Sequence, residues 1–263
     1  MSMQKRRTKQ NGRSAAARRL LEMAGDPQSL EEAIRVVANR FLEGVSVPPT
    51  DLDLIRQRLN IYAIDTEDLP FSGELRRDRS GFRIVCSKHL SLTRRRFTIA
   101  HEMAHAILET TGPRCPRVGN ELERICDRLA SELLMPKQVF VDSVGSGLSI
   151  EKIFKLAHVF GTSISATAIR CAELLGVSAF GTEGKIVSWA YGVVKRGSTL
   201  TTDEELRKAI DRACDGQAGQ EVVYLRSRIW TGEWRMEWAP TGRNGKAVFL
   251  LQPCQSARKA AAI

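Results

Sequence analysis

The chain has 263 residues, 43% hydrophobic and 27% charged, enough apolar material for one large or two modest cores. No apolar run approaches the length of a membrane span, and no signal-like apolar region follows the basic start, so a cytoplasmic protein with no membrane partner is expected. Cys86, Cys115, Cys126, Cys171, Cys214 and Cys254 show neither paired nor Cys-x-x-Cys spacing, which argues against a disulfide framework and for reduced thiols.

The net charge of +10 is concentrated at the start, where Lys5, Arg6, Arg7, Lys9, Arg13, Arg18 and Arg19 occur with no acidic residue between them. Residues 1–27 are read as a basic, disordered tail leading into a helix, suited to weak nucleic-acid contact without sequence specificity or simply to solubility. From Ser29 to Glu43, Leu30, Ala33, Ile34, Val37, Ala38 and Phe41 recur at helical spacing, with Ser29 and Glu32 as a capping box. Val47-Pro48-Pro49 ends that helix. Thr50 or Asp51 caps the next, which runs to Leu59, and Ile61 to Ile64 reads as a short strand.

Residues 73–87 read as a hairpin, because Asp78 to Gly81 has turn chemistry and its flanks alternate. The second arm, Phe82, Arg83, Ile84, Val85, Cys86 and Ser87, is expected either as an ordinary sheet strand or as an edge strand that binds an extended substrate by strand addition.

The next run, Arg96 to Leu108, holds Phe97, Ala100, Ala104, Ile107 and Leu108 at helical spacing, with Ser91 or Thr93 available as cap. His101 and His105 lie four apart on it, so both imidazoles fall on one face and reach a single metal ion. Glu102 stands beside them as a general base. Two ligands and a base on one short helix form the pattern of a metalloprotease.

A catalytic zinc site needs a third protein ligand and an open position. The following helix, Glu121 to Pro136, offers Glu123, with Asp127 on the same face to accept the free ring N–H of a ligating histidine. Glu121 is the rival ligand. Leu122, Ile125, Cys126, Leu129, Ala130 and Leu133 form the core stripe, and Arg124, Arg128 and Glu132 are assigned to a solvated face. Cys115 lies in the loop between the two helices and is read as a bystander thiol. Zinc is the expected ion, with manganese as alternative and iron a further occupant set by supply. A second oxyanion donor is sought among Tyr62, His89, His158, Tyr191 and Arg94 to Arg96.

Residues 137–178 read as helices, with Ser149 to Phe160, a Gly161-Thr162-Ser163 turn, and Ser165 to Leu175 resembling a helix-turn-helix. The second of these begins Ser165-Ala166-Thr167-Ala168-Ile169, poor in base-reading groups, so packing or substrate docking is favoured over DNA recognition. Residues 184–255 read as a small α/β domain, with strands at Lys185 to Val194, Glu221 to Leu225, Trp230 to Trp238 and Ala247 to Gln252 and a helix from Asp203 to Cys214. Trp234, Met236 and Trp238 alternate with polar residues, as a half-buried sheet does. An aromatic platform is the other reading.

Arg95-Arg96-Phe97-Thr98-Ile99-Ala100-His101-Glu102-Met103-Ala104-His105, then Glu123-x-x-x-Asp127 and Leu133-Leu134-Met135-Pro136, resembles the ImmA/IrrE family of metallopeptidases. The likeness extends upstream to Val47-Pro48-Pro49-Thr50-Asp51-Leu52 and downstream to Leu156 through Ser165. Cys126 and Leu129 stand where Ala and Phe are common in the family. The resemblance implies an α+β chain with a zincin-like domain over residues 28–136, its helices packed on a small sheet. It implies His101, His105 and Glu123 as zinc ligands and Glu102 as catalyst. It further implies a protein substrate, a helix-turn-helix repressor cut to release stress-response or mobile-element genes. The competing readings are a non-catalytic, metal-containing regulator that binds a repressor or nucleic acid, and a purely structural zinc site. Intact Glu102 argues against the first, and a fourth position without a protein ligand against the second.

Overall fold

A computed structural model describes residues 14–25, 27–110, 120–192, 204–226, 230–242, 245–254 and 258–259. The basic residues from Lys5 to Arg13, and Cys115, lie outside them. The fold is mixed α+β, with two sheets, and divides into two compact units, residues 1–140 with 159–162 and residues 141–158 with 163–263.

The first unit begins inside the stretch read as a tail. Helix α1 spans Ala15–Ala24, capped by Ser14, whose hydroxyl accepts from the Ala17 N–H. Ala16, Ala17, Leu20 and Leu21 are buried, so an apolar stripe overrides the basic composition. Arg19 is buried with them and donates to the Glu109 carbonyl. Helix α2 spans Leu30–Leu42 and buries Ala33, Ile34, Val37 and Ala38. Ser29 caps it as expected, but Glu32 accepts from the Gln28 N–H rather than from Ser29. Helix α3 spans Leu52–Arg58, capped by Asp51, while the Thr50 hydroxyl donates to the Leu133 carbonyl.

Strand β1 (Ile61–Glu67) extends beyond the expected Ile64. Strands β2 (Gly73–Asp78) and β3 (Gly81–Ser87) form the expected hairpin, in which the Asp78 carboxylate accepts from the Ser80 N–H. The sheet order is β1-β3-β2, with β1 parallel and β2 antiparallel to β3. Phe82 to Ser87 is therefore the central strand, not an edge. Both of its ladders are filled, and Phe82, Ile84, Val85, Cys86 and Ser87 are buried. The hydrophobic run that suggested a binding strand belongs to the core, and the edge next to it is β2.

Helix α4 (Leu92–Thr110) packs against β2 and β3, and α5 (Asn120–Leu134) packs against α4 and α2. The stripe Leu122, Ile125, Cys126, Leu129, Ala130 and Leu133 is buried as its spacing predicts. Glu132 departs from that prediction. It is 4% exposed and accepts from the Lys137 N–H at 2.8 Å, closing the start of α6 (Lys137–Val144). Arg124 is exposed, and Arg128 pairs with Glu31 at 2.7 Å.

In the second unit, α7 (Ile150–Phe160) is mostly contained, and α8 (Ile164–Leu175) follows its cap Ser163. The sheet holds β4 (Ser178–Glu183), β5 (Ile186–Tyr191), β6 (Gly219–Arg226), β7 (Trp230–Pro240) and β8 (Lys246–Pro253) in the antiparallel order β5-β4-β8-β7-β6, with β9 (Arg258–Lys259) beside β7. Helix α9 (Glu204–Cys214) lays Leu206, Ala209, Ile210 and Ala213 on one face. Trp234, Met236 and Trp238 are buried beneath it, so the alternation is that of a core strand and no platform is exposed. Helix α8 packs against β4, β5 and β8.

Candidate metal centre

Two helices of the first unit position the site. Ser91 starts α4: its carbonyl accepts from Arg95 N and its hydroxyl from Arg94 N. Ala100, Met103, Ala104, Ala106, Ile107 and Leu108 anchor α4 in the core, with 0–1% exposure. The rotation of α4 is thereby fixed, and the polar residues His101 and His105 share the remaining face. The buried stripe of α5 likewise turns Glu123 and Asp127 toward them.

The Nε2 atoms of His101 and His105 are 3.2 Å apart. Glu123 Oε2 lies 3.2 Å from His101 Nε2, and Glu123 Oε1 lies 3.6 Å from His105 Nε2. His101 Nδ1 lies 2.9 Å from Asp127 Oδ1. A carboxylate only accepts, so Nδ1 is the protonated nitrogen and donates to Asp127. The Nε2 of neutral His101 then presents a lone pair to a second carboxylate and to the other imidazole. Lone pairs pointing at one another repel unless a metal ion, or a proton on Nε2, sits among them. Two donors at about 2.0–2.1 Å from a tetrahedral ion stand about 3.3–3.4 Å apart, close to the separations found here. The residues present therefore fit a metal ion, and His101, His105 and Glu123 have the spacing to hold one.

Burial pulls the His101 imidazole down, but its bond to Asp127 and the charges of Glu102, Asp127 and Glu123 outweigh this and raise it above the ordinary histidine range. Burial and the neighbouring His101 charge hold His105 below that range. Glu102 is 7% exposed, and burial pushes its carboxyl up to about 7 against the pull of His101. The Leu75 N–H on β2 also pulls it down, so this stretch of β2 lies close to the carboxylate.

The free edge of the sheet thus lies beside the helix that carries the catalytic candidate. Gly73 makes the approach possible: a Cβ there would stand 2.6 Å from Thr98 Cγ2 and 2.9 Å from the Val85 carbonyl oxygen. The edge role falls on Gly73 to Asp78, one strand earlier than the hydrophobic pattern suggests. A weaker hydrophobic run on β2, with only Leu75 apolar, is the signal that marks it.

Glu121 is not in the cluster and accepts from the Ser14 N–H. Of the oxyanion candidates, the Tyr62 hydroxyl bonds Asp78, His89 bonds Asp68 at 3.0 Å, Arg94 bonds the Ser72 hydroxyl, and Arg96 donates to the Thr50 carbonyl. His158 and Tyr191 belong to the second unit. Cys86 lies behind Glu102, and burial pushes its thiol up to about 11.

Among the described residues no helix is long and apolar enough to cross a membrane. No curated protein matches the chain in sequence. A solved structure of a Mycobacterium tuberculosis transcriptional regulator is similar, with a TM-score of 0.54 at 14% identity, covering 89% of this chain and 79% of that one, a likeness of fold. The model of the IrrE N-terminal-like domain, Peptidase_M78, matches residues 56–172.

Proposed function

We propose, from the premise that residues 56–172 belong to the ImmA/IrrE family of metallopeptidases, that this chain is a zinc-dependent endopeptidase. Its proposed substrate is a helix-turn-helix transcriptional repressor, cut to relieve repression in a stress response or on a mobile element. One observation carries the reading. Three metal-fitting donors converge beside a buried carboxylate that lies close to the open edge of a sheet.

His101, His105 and Glu123 would hold the ion, and a two-imidazole, one-carboxylate set suits zinc, with manganese as alternative. Zinc bound there supplies Lewis acidity to a water and to the scissile carbonyl. Asp127 keeps His101 in the tautomer that offers Nε2. Glu102, pushed up to about 7, is poised to take a proton from the attacking water and return it to the leaving amine. β2 pairs only with β3, so its outer edge is open to an extended peptide among the described residues. The fold likeness to a transcriptional regulator is in keeping with work on gene control.

The test is metal content and cleavage in untagged protein. About one zinc per chain is expected in the wild type and a clear loss in Glu123→Gln. Glu102→Gln keeps the metal and loses cleavage of a helix-turn-helix repressor that the wild type cuts. Absence of metal after zinc is supplied would sink the peptidase. Metal with no cleavage of any repressor would favour the non-catalytic regulator.

A further inference from the structure

Ser14 and Arg19, at the start and in the middle of α1, reach the two helices that carry the donor set. Arg19 is buried, and its Nη2 donates to the backbone carbonyl of Glu109, 3.4 Å away, in the last turn of α4. Carbonyls in the last turn of a helix have no partner within it, and that end favours a cation. Glu109 stands one turn beyond His105. On the other side, the Ser14 N–H donates to Glu121 Oε2 at 3.3 Å, in the first turn of α5. Glu121 and Glu123 are separated by about 200° around the helix, so one meets α1 while the other meets the imidazoles.

The two ends of this link differ in firmness. Ala106, Ile107 and Leu108 are fully buried and seat the end of α4. In the first turn of α5, Asn120, Glu121 and Glu123 are exposed and only Leu122 is buried. Terminal turns are the part of a helix that frays, and this one carries the third donor. Helix α1 is itself fixed, since Ala16, Ala17, Leu20 and Leu21 are buried and it packs against α2, α4 and α5. The Ser14 hydroxyl caps it, accepting from the Ala17 N–H at 3.2 Å.

We infer that α1 is a brace of the metal centre. It ties the first turn of α5 to the end of α4, and so holds Glu123 at the separation from His101 and His105 that a shared ion requires. Arg19 and Ser14 are positioning residues, acting through Glu109 and Glu121 rather than on the ion or the reacting atoms. This role rests on the reading of His101, His105 and Glu123 as metal ligands. Displacing α1 from α4 and α5 loosens the third ligand and leaves the two histidines seated.

The experiment uses the full-length protein and zinc, in competition with a chromophoric chelator at fixed pH. Arg19→Met keeps the bulk and removes the guanidinium, and is expected to weaken zinc binding about three- to tenfold. Arg19→Lys keeps a cation for the end of α4 and should stay within about twofold of wild type. Ser14→Ala uncaps α1 and should lose about two- to fourfold, most of which Ser14→Thr restores. Leu59→Ala removes a buried side chain just after α3, lowers stability outside α1, and should bind zinc as the wild type does. Hydrogen exchange in the metal-free protein is the second readout. In Arg19→Met the amides of Arg124 to Asp127, whose acceptors lie in the first turn of α5, should exchange faster, while those of His101 to Leu108 keep wild-type rates. Zinc affinity within about twofold of wild type in both Arg19→Met and Ser14→Ala would overturn the brace. Unchanged exchange at Arg124 to Asp127, or an equal loss of zinc affinity in Leu59→Ala, would overturn it too. Should Arg19→Met fail to fold by circular dichroism, the Ser14→Ala and Ser14→Thr pair decides. Zinc bound by the wild type with no effect of the variants removes the brace and leaves the metal centre standing. A wild type that takes no zinc sinks the metal reading, and the brace with it.

Discussion

Replacing Asp127 separates His101, a proposed metal ligand, from the group that orients it. The Asp127 carboxylate accepts from His101 Nδ1 at 2.9 Å and does not belong to the converging donor set. Loss of such a partner ordinarily weakens metal binding by about 10- to 100-fold. The Asp127 side chain is 57% exposed, so water can replace part of the bond. Asp127→Ala is therefore expected near the lower end, about 10- to 30-fold, or about 1.4–2 kcal/mol. Asp127→Asn keeps an acceptor but loses the charge that makes the bond strong, and should cost about three- to fivefold. Glu123→Gln removes a donor itself and should cost more than either. Competition for zinc against a chromophoric chelator at fixed pH orders the three variants. Affinity within twofold of wild type in Asp127→Ala would refute the orienting role. A loss equal to that of Glu123→Gln would instead make Asp127 a ligand.

The remaining predictions address the frame of the site. Gly73→Ala should push β2 away from Thr98, destabilise the protein by about 1–3 kcal/mol in urea unfolding, and lower cleavage with zinc content unchanged. Wild-type stability in that variant would mean the edge is loosely held. Glu132→Ala should cost about 1–3 kcal/mol because the Lys137 N–H loses a buried acceptor, and a neutral result would return Glu132 to the solvated face. Alkylation at pH 8 should leave Cys86 and Cys171 unmodified in the native protein, since burial lifts their thiols to about 11 and about 12 and leaves almost no thiolate at that pH. The half-buried Cys214 and Cys254 should react, and labelling of Cys86 or Cys171 before either of them, seen by peptide mapping, would contradict the packing.

The helix that carries His101, Glu102 and His105 is legible because a 3.6-residue apolar stripe and a short polar face coexist in one uninterrupted segment. The α5 stripe is legible for the same reason. Strand order is not. Phe82 to Ser87 reads equally well as an edge or a centre, because period-two patterning reports burial of a face and says nothing of which neighbours fill the ladders. Glu132 looks like a surface residue because it continues the row of Arg124 and Arg128 at four-residue spacing, and only the turn into α6 gives it a buried N–H to bind. β4 is hidden because Ser178-Ala179-Phe180-Gly181-Thr182-Glu183 carries little β-branched character, although it lies between β5 and β8. Basic composition masks α1, whose alanines and leucines face inward.

An edge strand six residues long makes a demand on whatever joins it. Its partner must offer a stretch of comparable length with extended backbone and free amides. Helices and tight turns satisfy neither condition, so a folded target presents its bond only while a linker is open. On the proposed peptidase reading, the speed at which a given target is consumed follows how often its own linker opens, and a change that loosens the target acts as a trigger without any change in this chain.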